Sequence, residues 1–391
     1  MDLKTLRSRI EALAIFRDLI SDPVISALRD YLDDRNVGSY AEFANRLYIA
    51  SGGSLSDHIR GICLENENIY VKSLGKSSGI PEYIEKTLSF ELETLQKISD
   101  LTPKMLAGDI GDYIPLFDSA KTDIARDFYE RAKNIGKCGY GIYARHSMFY
   151  LDGDKRIVPV QSPDNTRLSS LVDYEREQRI ILDNTKALLA GRPAANILLT
   201  GDAGTGKSST VKAVVNELST DGLRIIEVRK DQLHSIAWLL GELSENPLKF
   251  IIFIDDLSFQ KDDDNYSALK AVLEGSVSAR SQNVVIYATS NRRHIVKEKF
   301  SDRDGDDIHR NDTMQELVSL SERFGIQVTF KRPDKQIYLD IVRHLAAEAG
   351  VNIAEDELDV LAEQFALARG GRSARAAKQF VDGLIASDKY N

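Results

Sequence analysis

Cysteine and tryptophan are nearly missing from this 391-residue chain, which has two of the first and one of the second. Cys63 and Cys138 lie far apart and lack metal-ligand spacing, so they leave room for neither a disulfide framework nor a thiolate metal site. Two inert thiols suit a reducing compartment, and the expected setting is cytoplasmic. Long apolar runs are also lacking: nothing approaches the ~20 consecutive apolar residues that a membrane span needs. The opening Met-Asp-Leu-Lys-Thr-Leu-Arg is charged and amphipathic, unlike a secretory signal. Nor is there an excess of positive charge. A formal net charge of −9 offers nucleic acid no global attraction, although a local basic patch would survive it. There is no internal repeat, and the acid-rich tracts at 261–265 and 301–307 read as solvated loops.

What is present describes an ordinary globular protein, 42% hydrophobic and 28% charged, long enough for two or three domains. The first ~150 residues carry apolar residues at helical spacing, over 3–19, 24–32 and 83–98. Breaks fall at Gly52-Gly53, around Pro81 and around Pro103. No catalytic cluster appears there, so residues 1–158 are expected to form a mainly helical recruitment or assembly domain. From Pro159 an extended linker leads into alternating helices and short apolar strands, at 197–200, 224–228, 250–254, 284–289 and 326–330. That alternation predicts an α/β domain over 159–332, a mostly parallel sheet sandwiched by helices. Three amphipathic helices over 334–349, 355–367 and 373–385 then make a small helical domain spanning 333–391.

The chemistry begins at Gly201-Asp202-Ala203-Gly204-Thr205-Gly206-Lys207-Ser208, a phosphate-binding loop with a strand before it and a helix from Ser209 after it. Its glycines let successive N–H groups point inward, and the helix N-terminus adds its positive dipole end. Lys207 suits the β- and γ-phosphates of a nucleoside triphosphate, and the Ser208 hydroxyl suits magnesium. Downstream, Phe250-Ile-Ile-Phe-Ile-Asp-Asp256 ends a buried strand in two acids. Asp255 is the candidate for magnesium coordination, and Asp256 for orienting the attacking water. An aspartate in that second position has a shorter arm than glutamate, which favours slow hydrolysis.

The strand ending at Thr289-Ser290-Asn291 puts an amide beside those acids, either to sense the γ-phosphate or to cap the next helix. Thr289 is the weaker sensing candidate. Arg323, in Ser321-Glu-Arg-Phe-Gly325, lies before the last strand, where it cannot easily reach its own nucleotide. It suits a neighbouring subunit's γ-phosphate in trans, or else a salt bridge at home. Arg292 and Arg293 are weaker candidates for that role. Arg375, in Gly370-Gly-Arg-Ser-Ala-Arg375, could fold back over the phosphates, with Arg372 as its alternative.

Phosphate loop, paired acids, Asn-ended strand, Arg-Phe-Gly box and helical lid occur in the order of the AAA+ ATPases, and this order resembles that class from about 165 to 387. The strings Leu171-Val-Asp-Tyr-Glu175, Asp255-Asp-Leu-Ser-Phe259, Tyr287-Ala-Thr-Ser-Asn-Arg-Arg-His294 and Ser319-Leu-Ser-Glu-Arg-Phe-Gly325 resemble, more narrowly, a bacterial AAA+ family known as domain of unknown function 815. The resemblance implies that Ser208 and Asp255 manage Mg2+, Asn291 is sensor 1, Arg323 the trans arginine finger and Arg375 sensor 2. It also implies that Leu171, Val172 and Tyr174 lie near the adenine of ATP. Asp173 departs from the family pattern, which has glycine there. Similarity to replication initiators and helicase loaders is shallower: it rests on the double-aspartate strand end and the Arg-Phe-Gly box, and the initiators' terminal DNA-binding helices are not expected here.

The leading expectation is an ATPase that forms a homo-oligomeric ring or partial ring and remodels or assembles a protein client held by residues 1–158. An ATP-gated scaffold with slow hydrolysis and a nucleic-acid loader are the alternatives. A threading unfoldase lacks its gripping loop, since Trp238-Leu-Leu-Gly241 reads as a helix face in the core.

Overall fold

Between Lys249 and Asp255 every residue is apolar, as a strand covered by helices on both faces must be. The computed structural model describes residues 2–74, 79–107, 113–257, 264–274, 282–291 and 322–387. Its strands are β1 (Met148–Leu151), β2 (Ile157–Pro159), β3 (Ile197–Gly201), β4 (Leu223–Glu227), β5 (Lys249–Ile254), β6 (Val284–Ser290) and β7 (Ile326–Phe330). They form one sheet in the order β2-β1-β4-β5-β6-β3-β7. All neighbours are parallel except β1 and β2.

Parallel neighbours require crossovers, and the crossover helices cover the sheet. The Lys207–Leu218 helix buries Val211, Val214, Val215 and Leu218 in the same core as Ile197, Leu199, Ile251 and Phe253. With β3 between β6 and β7, and β5 beside β6, the carboxyl ends of β3, β5 and β6 come together at one edge of the sheet. Ligands of open α/β sheets bind at such an edge.

The chain divides into two compact units, 1–145 with 245–248 and 146–244 with 249–391. The division falls at Arg145/His146, not at residue 158, because β1 pairs with β4 and carries β2 with it into the sheet. The stretch read as the end of a helical domain is thus a hairpin around Asp152-Gly-Asp-Lys155. Within the first unit the 3–19 helix stops at Glu11, and a 3-10 turn follows at Arg17–Ser21. Buried Glu91 sits across that break and accepts hydrogen bonds from the Ala14, Ile15 and Phe16 N–H groups at 2.8 to 3.1 Å. Three donors make a buried carboxylate tolerable.

The helical lid consists of the Lys335–Glu348, Glu355–Ala368 and Ala374–Ala386 helices. It has a core of its own around Tyr338, Val342, Ala362, Ala377 and Phe380. The Tyr338 hydroxyl donates to the Ala362 carbonyl at 3.0 Å and ties two lid helices together. Trp238 is not a core residue: it is 41% exposed, whereas Leu239 and Leu243 on the same helix are buried. Among the described residues no helix is long and apolar enough to cross a membrane. The sequence features at 261–263, 292–294, 301–307 and 317–321, including Arg292 and Arg293, lie outside the described residues.

Candidate nucleotide site

The loop after β3 has the backbone its glycines predict. Gly201, Gly204 and Gly206 have φ of 141°, 80° and 89°, in the region that L side chains avoid. At Gly201 a Cβ would stand 2.1 Å from the Phe330 carbonyl oxygen on β7, so only glycine fits. Gly201→Ala is expected to cost at least roughly 3 kcal/mol, since it adds a backbone clash to the strain of positive φ. Urea unfolding checks this, and a midpoint near wild type would refute it. Gly206 precedes the Lys207–Leu218 helix and, as its N-cap, has no side chain to occupy the first N–H groups. Such uncapped N–H groups at a helix start suit an anion.

Lys207 is buried, and its ammonium donates to the Gly201 carbonyl at 2.8 Å, the Asp202 carbonyl at 2.7 Å and Asn291 Oδ1 at 3.0 Å. Those bonds use all three of its donors. Burial pulls its pKa below the usual lysine range, against the opposing pull of Asp255, Asp202 and Asp256. The Asn291 amide also donates to Asp256 Oδ1 at 2.7 Å, linking the loop lysine to the second acid.

Ser208 Oγ donates to Asp255 Oδ1 at 2.7 Å. A hydroxyl and a carboxylate oxygen in contact are the hard donors that magnesium prefers, so the pair fits that ion. Thr289 fixes the acids. Its hydroxyl donates to Asp255 Oδ1 at 2.5 Å and accepts the Asp256 N–H at 2.9 Å, while its carbonyl accepts the Leu257 N–H at 2.7 Å. The chain turns there through Asp256 at φ 52°, the kind of local strain that collects at functional sites.

These groups open into a cavity of about 690 Å³, whose other walls include Leu171, Val172 and Tyr174, the loop residues Ala203 to Ser209, and Arg375. Val172 packs on the lid core, while Tyr174 packs on the sheet core beside Phe330, with ring centroids 5.0 Å apart. The Tyr174 hydroxyl donates to the Lys331 carbonyl. Asp173, where the resemblance leads one to expect glycine, has φ 70°, followed by Tyr174 at 68°. The position does require the left-handed region, and aspartate tolerates it better than most side chains. Gln178 holds the turn by donating to the Leu171 and Asp173 carbonyls at 3.2 and 2.9 Å.

The lid contributes Arg375, whose N–H donates to the Gly204 carbonyl at 3.2 Å. Arg372 is instead held by Glu363 in a two-bond fork at 2.8 and 2.6 Å, and it does not line the cavity. Arg323 does not line it either; it pairs with Glu274, at 2.8 Å from Nε and 2.5 Å from the second guanidinium nitrogen. Gln178, Thr166, Glu348 and Lys378 are cavity residues that the motifs do not supply. Thr289, the weaker sensing candidate, also lines the cavity, and its place at the end of β6 sets it beside the acids.

A central parallel order β4-β5-β6-β3-β7, a phosphate loop after β3, acids after β5, a polar residue after β6 and a helical lid define a P-loop nucleotide-binding domain of the AAA+ ATPase class. The chain belongs to the family described as "Protein of unknown function (DUF815)", whose model matches residues 144–388. Solved structures similar to it include RuvB of Thermotoga maritima, described as a Holliday junction branch migration motor. That structure is 16% identical with a TM-score of 0.37, and the match covers 55% of this chain and 63% of that one. Two point mutants of the same protein match at 15% and 17% identity, each with a TM-score of 0.38 and the same coverage. This chain therefore spans under two thirds of their length. No curated protein matches closely enough to count as a relative.

Proposed function

We propose that the chain is an Mg2+-dependent ATP hydrolase whose site is completed by a second copy of itself, and that it uses the nucleotide cycle to remodel or assemble a protein client held by its first unit. One observation carries this reading: Lys207, the Ser208–Asp255 pair and the Asp256–Asn291 pair meet in one cavity that the lid enters through Arg375. The loop N–H groups and Lys207 bind and orient the phosphates. Ser208 and Asp255 would hold magnesium, which when bound neutralises phosphate charge. Asp256 orients the attacking water and takes its proton, and Asn291 holds that carboxylate in place. Leu171, Val172 and Tyr174 hold the base, and Arg375 ties the lid angle to the phosphates. Arg323 serves a neighbour's site in a ring or partial ring. Two free cysteines, one of them buried, suit a cytoplasmic setting.

One feature favours a slower, switch-like variant. Asp256 has the shorter acid arm, and Asn291 already holds it. Turnover of minutes or longer that no client accelerates would mark the protein as an ATP-gated scaffold. Asp256→Asn is the direct test. ATP hydrolysis should fall by roughly 10²- to 10⁴-fold with ATP binding retained, and proteins co-purifying with the ATP-loaded variant would include the client. Unchanged hydrolysis in that variant would remove Asp256 from the mechanism.

A further inference from the structure

The cavity has a second lid cation that the proposed mechanism does not use. Lys378 stands one turn beyond Arg375 on the Ala374–Ala386 helix, and both line the cavity. Residues three apart share a helix face, so the lid presents two positive charges to the site. They serve different ends of it. Arg375 is at the phosphate loop, through its bond to Gly204. Lys378 is near Asp164, whose carboxyl lies below the usual range, chiefly because Thr166 hydrogen-bonds it, with the charges of Lys212 and Lys378 adding to the effect. The Asp164 and Thr166 carbonyls each accept a hydrogen bond from Asn216 Nδ2 at 2.8 Å. Asn216 lies about two turns beyond Ser208 on the helix that follows the loop. Lys378 therefore belongs to the wall made by Thr166, Ser170 and Leu171, the end left for sugar and base once the phosphates fill the loop.

We infer that Lys378 is a second nucleotide-reading cation of the lid, one that binds the ribose and α-phosphate end shared by ATP and ADP; the inference rests on the nucleotide reading above. Asp164 acts on Lys378 only as a neighbouring charge. Interactions between exposed charges of that kind contribute little, so exchanging this neighbour for nucleotide oxygens costs little. A charge-assisted bond to an anionic ligand in a half-enclosed cavity is the stronger interaction.

The full chain titrated with fluorescent ATP and ADP tests this. Lys378→Ala should raise both dissociation constants by about tenfold, the weight of one charge-assisted bond, and Lys378→Arg should restore most of the loss. Lys212→Ala, which removes the other cation beside Asp164 without touching the cavity, should change neither constant. Unchanged affinity in Lys378→Ala, a loss confined to ATP, or an equal loss in Lys212→Ala would each overturn the inference while leaving the nucleotide site intact. Failure of the unmodified protein to bind either nucleotide would instead remove the nucleotide reading itself.

Discussion

Replacing Arg323 with alanine is expected to lower ATP turnover by about 10³-fold or more, the weight of an arginine finger, while ATP binding stays within about twofold. The residue lies just before β7, the last strand of its side of the sheet; its guanidinium pairs with Glu274, and it is not among the described residues that line the cavity. Losing that pair costs little stability, because a half-exposed ion pair contributes about 0–1 kcal/mol. A fall of three orders of magnitude would thus need a different origin, the lost stabilisation of transition-state charge in another subunit.

Two controls separate these origins. If the Glu274 pair were what mattered, Glu274→Ala would reproduce the loss; with a trans role it leaves turnover within a few-fold of wild type. Mixing is more decisive. Arg323→Ala keeps an intact water-orienting acid, and Asp256→Asn keeps an intact finger, so each is inactive alone for a different reason. A mixed assembly contains sites that join the good half of each, and it should recover a measurable fraction of activity. No recovery in a mixture shown to co-assemble would sink the trans assignment.

How far the residues alone reveal such a site depends on whether a role is local. The phosphate loop was legible because its function is a backbone shape, and the positive φ of Gly201, Gly204 and Gly206 is what its spacing announces. Asp255, Asp256 and Asn291 were legible because polar residues ending buried strands have few other reasons to be there. The role of Thr289 is less legible. Its hydroxyl reaches Asp255 only because β5 and β6 pair in parallel with Ile254 opposite Ala288, a register no single strand encodes. The choice between Arg375 and Arg372 likewise depended on Glu363, a residue of a different lid helix. The hairpin of β1 and β2 was hidden by its brevity, four and three residues in a stretch dominated by helical periodicity. The five longer strands were placed to within a residue or two, since burial on both faces leaves an apolar run. Recruitment of a client by the first unit, as proposed, would have no local signature, because a docking surface is defined by its partner.

Lys207→Ala should separate folding from ligand binding more sharply than any other change. The lysine's charge is buried and its three donors are spent on two loop carbonyls and Asn291. Burial lowers its pKa, so the charged form is less favourable there than in the unfolded chain. Truncation frees three acceptors but also removes that cost, and two of the acceptors are carbonyls of half-buried Gly201 and exposed Asp202, where water can replace the lost donor. The opposing effects should leave the empty protein's stability within about 1 kcal/mol of wild type. Stability gained from ligand is another matter. Saturating Mg-ATP at a hundred times its dissociation constant adds about 2.7 kcal/mol to a protein that binds it, and nothing to one that does not. Thermal unfolding with and without Mg-ATP should therefore show an upward shift of several degrees in the unmodified protein and almost none in Lys207→Ala, from nearly the same starting midpoint. The sign of the lysine's own contribution can be read from pH. Because its folded pKa lies below the unfolded value, the unfolded chain binds more protons between the two, and the empty wild type should gain stability as pH rises through that alkaline window. Lys207→Ala should lack that gain. A variant that unfolds far below wild type without ligand would show that the ammonium is mainly a strut for the loop, whereas an undiminished ATP shift would show that the phosphates do not depend on it.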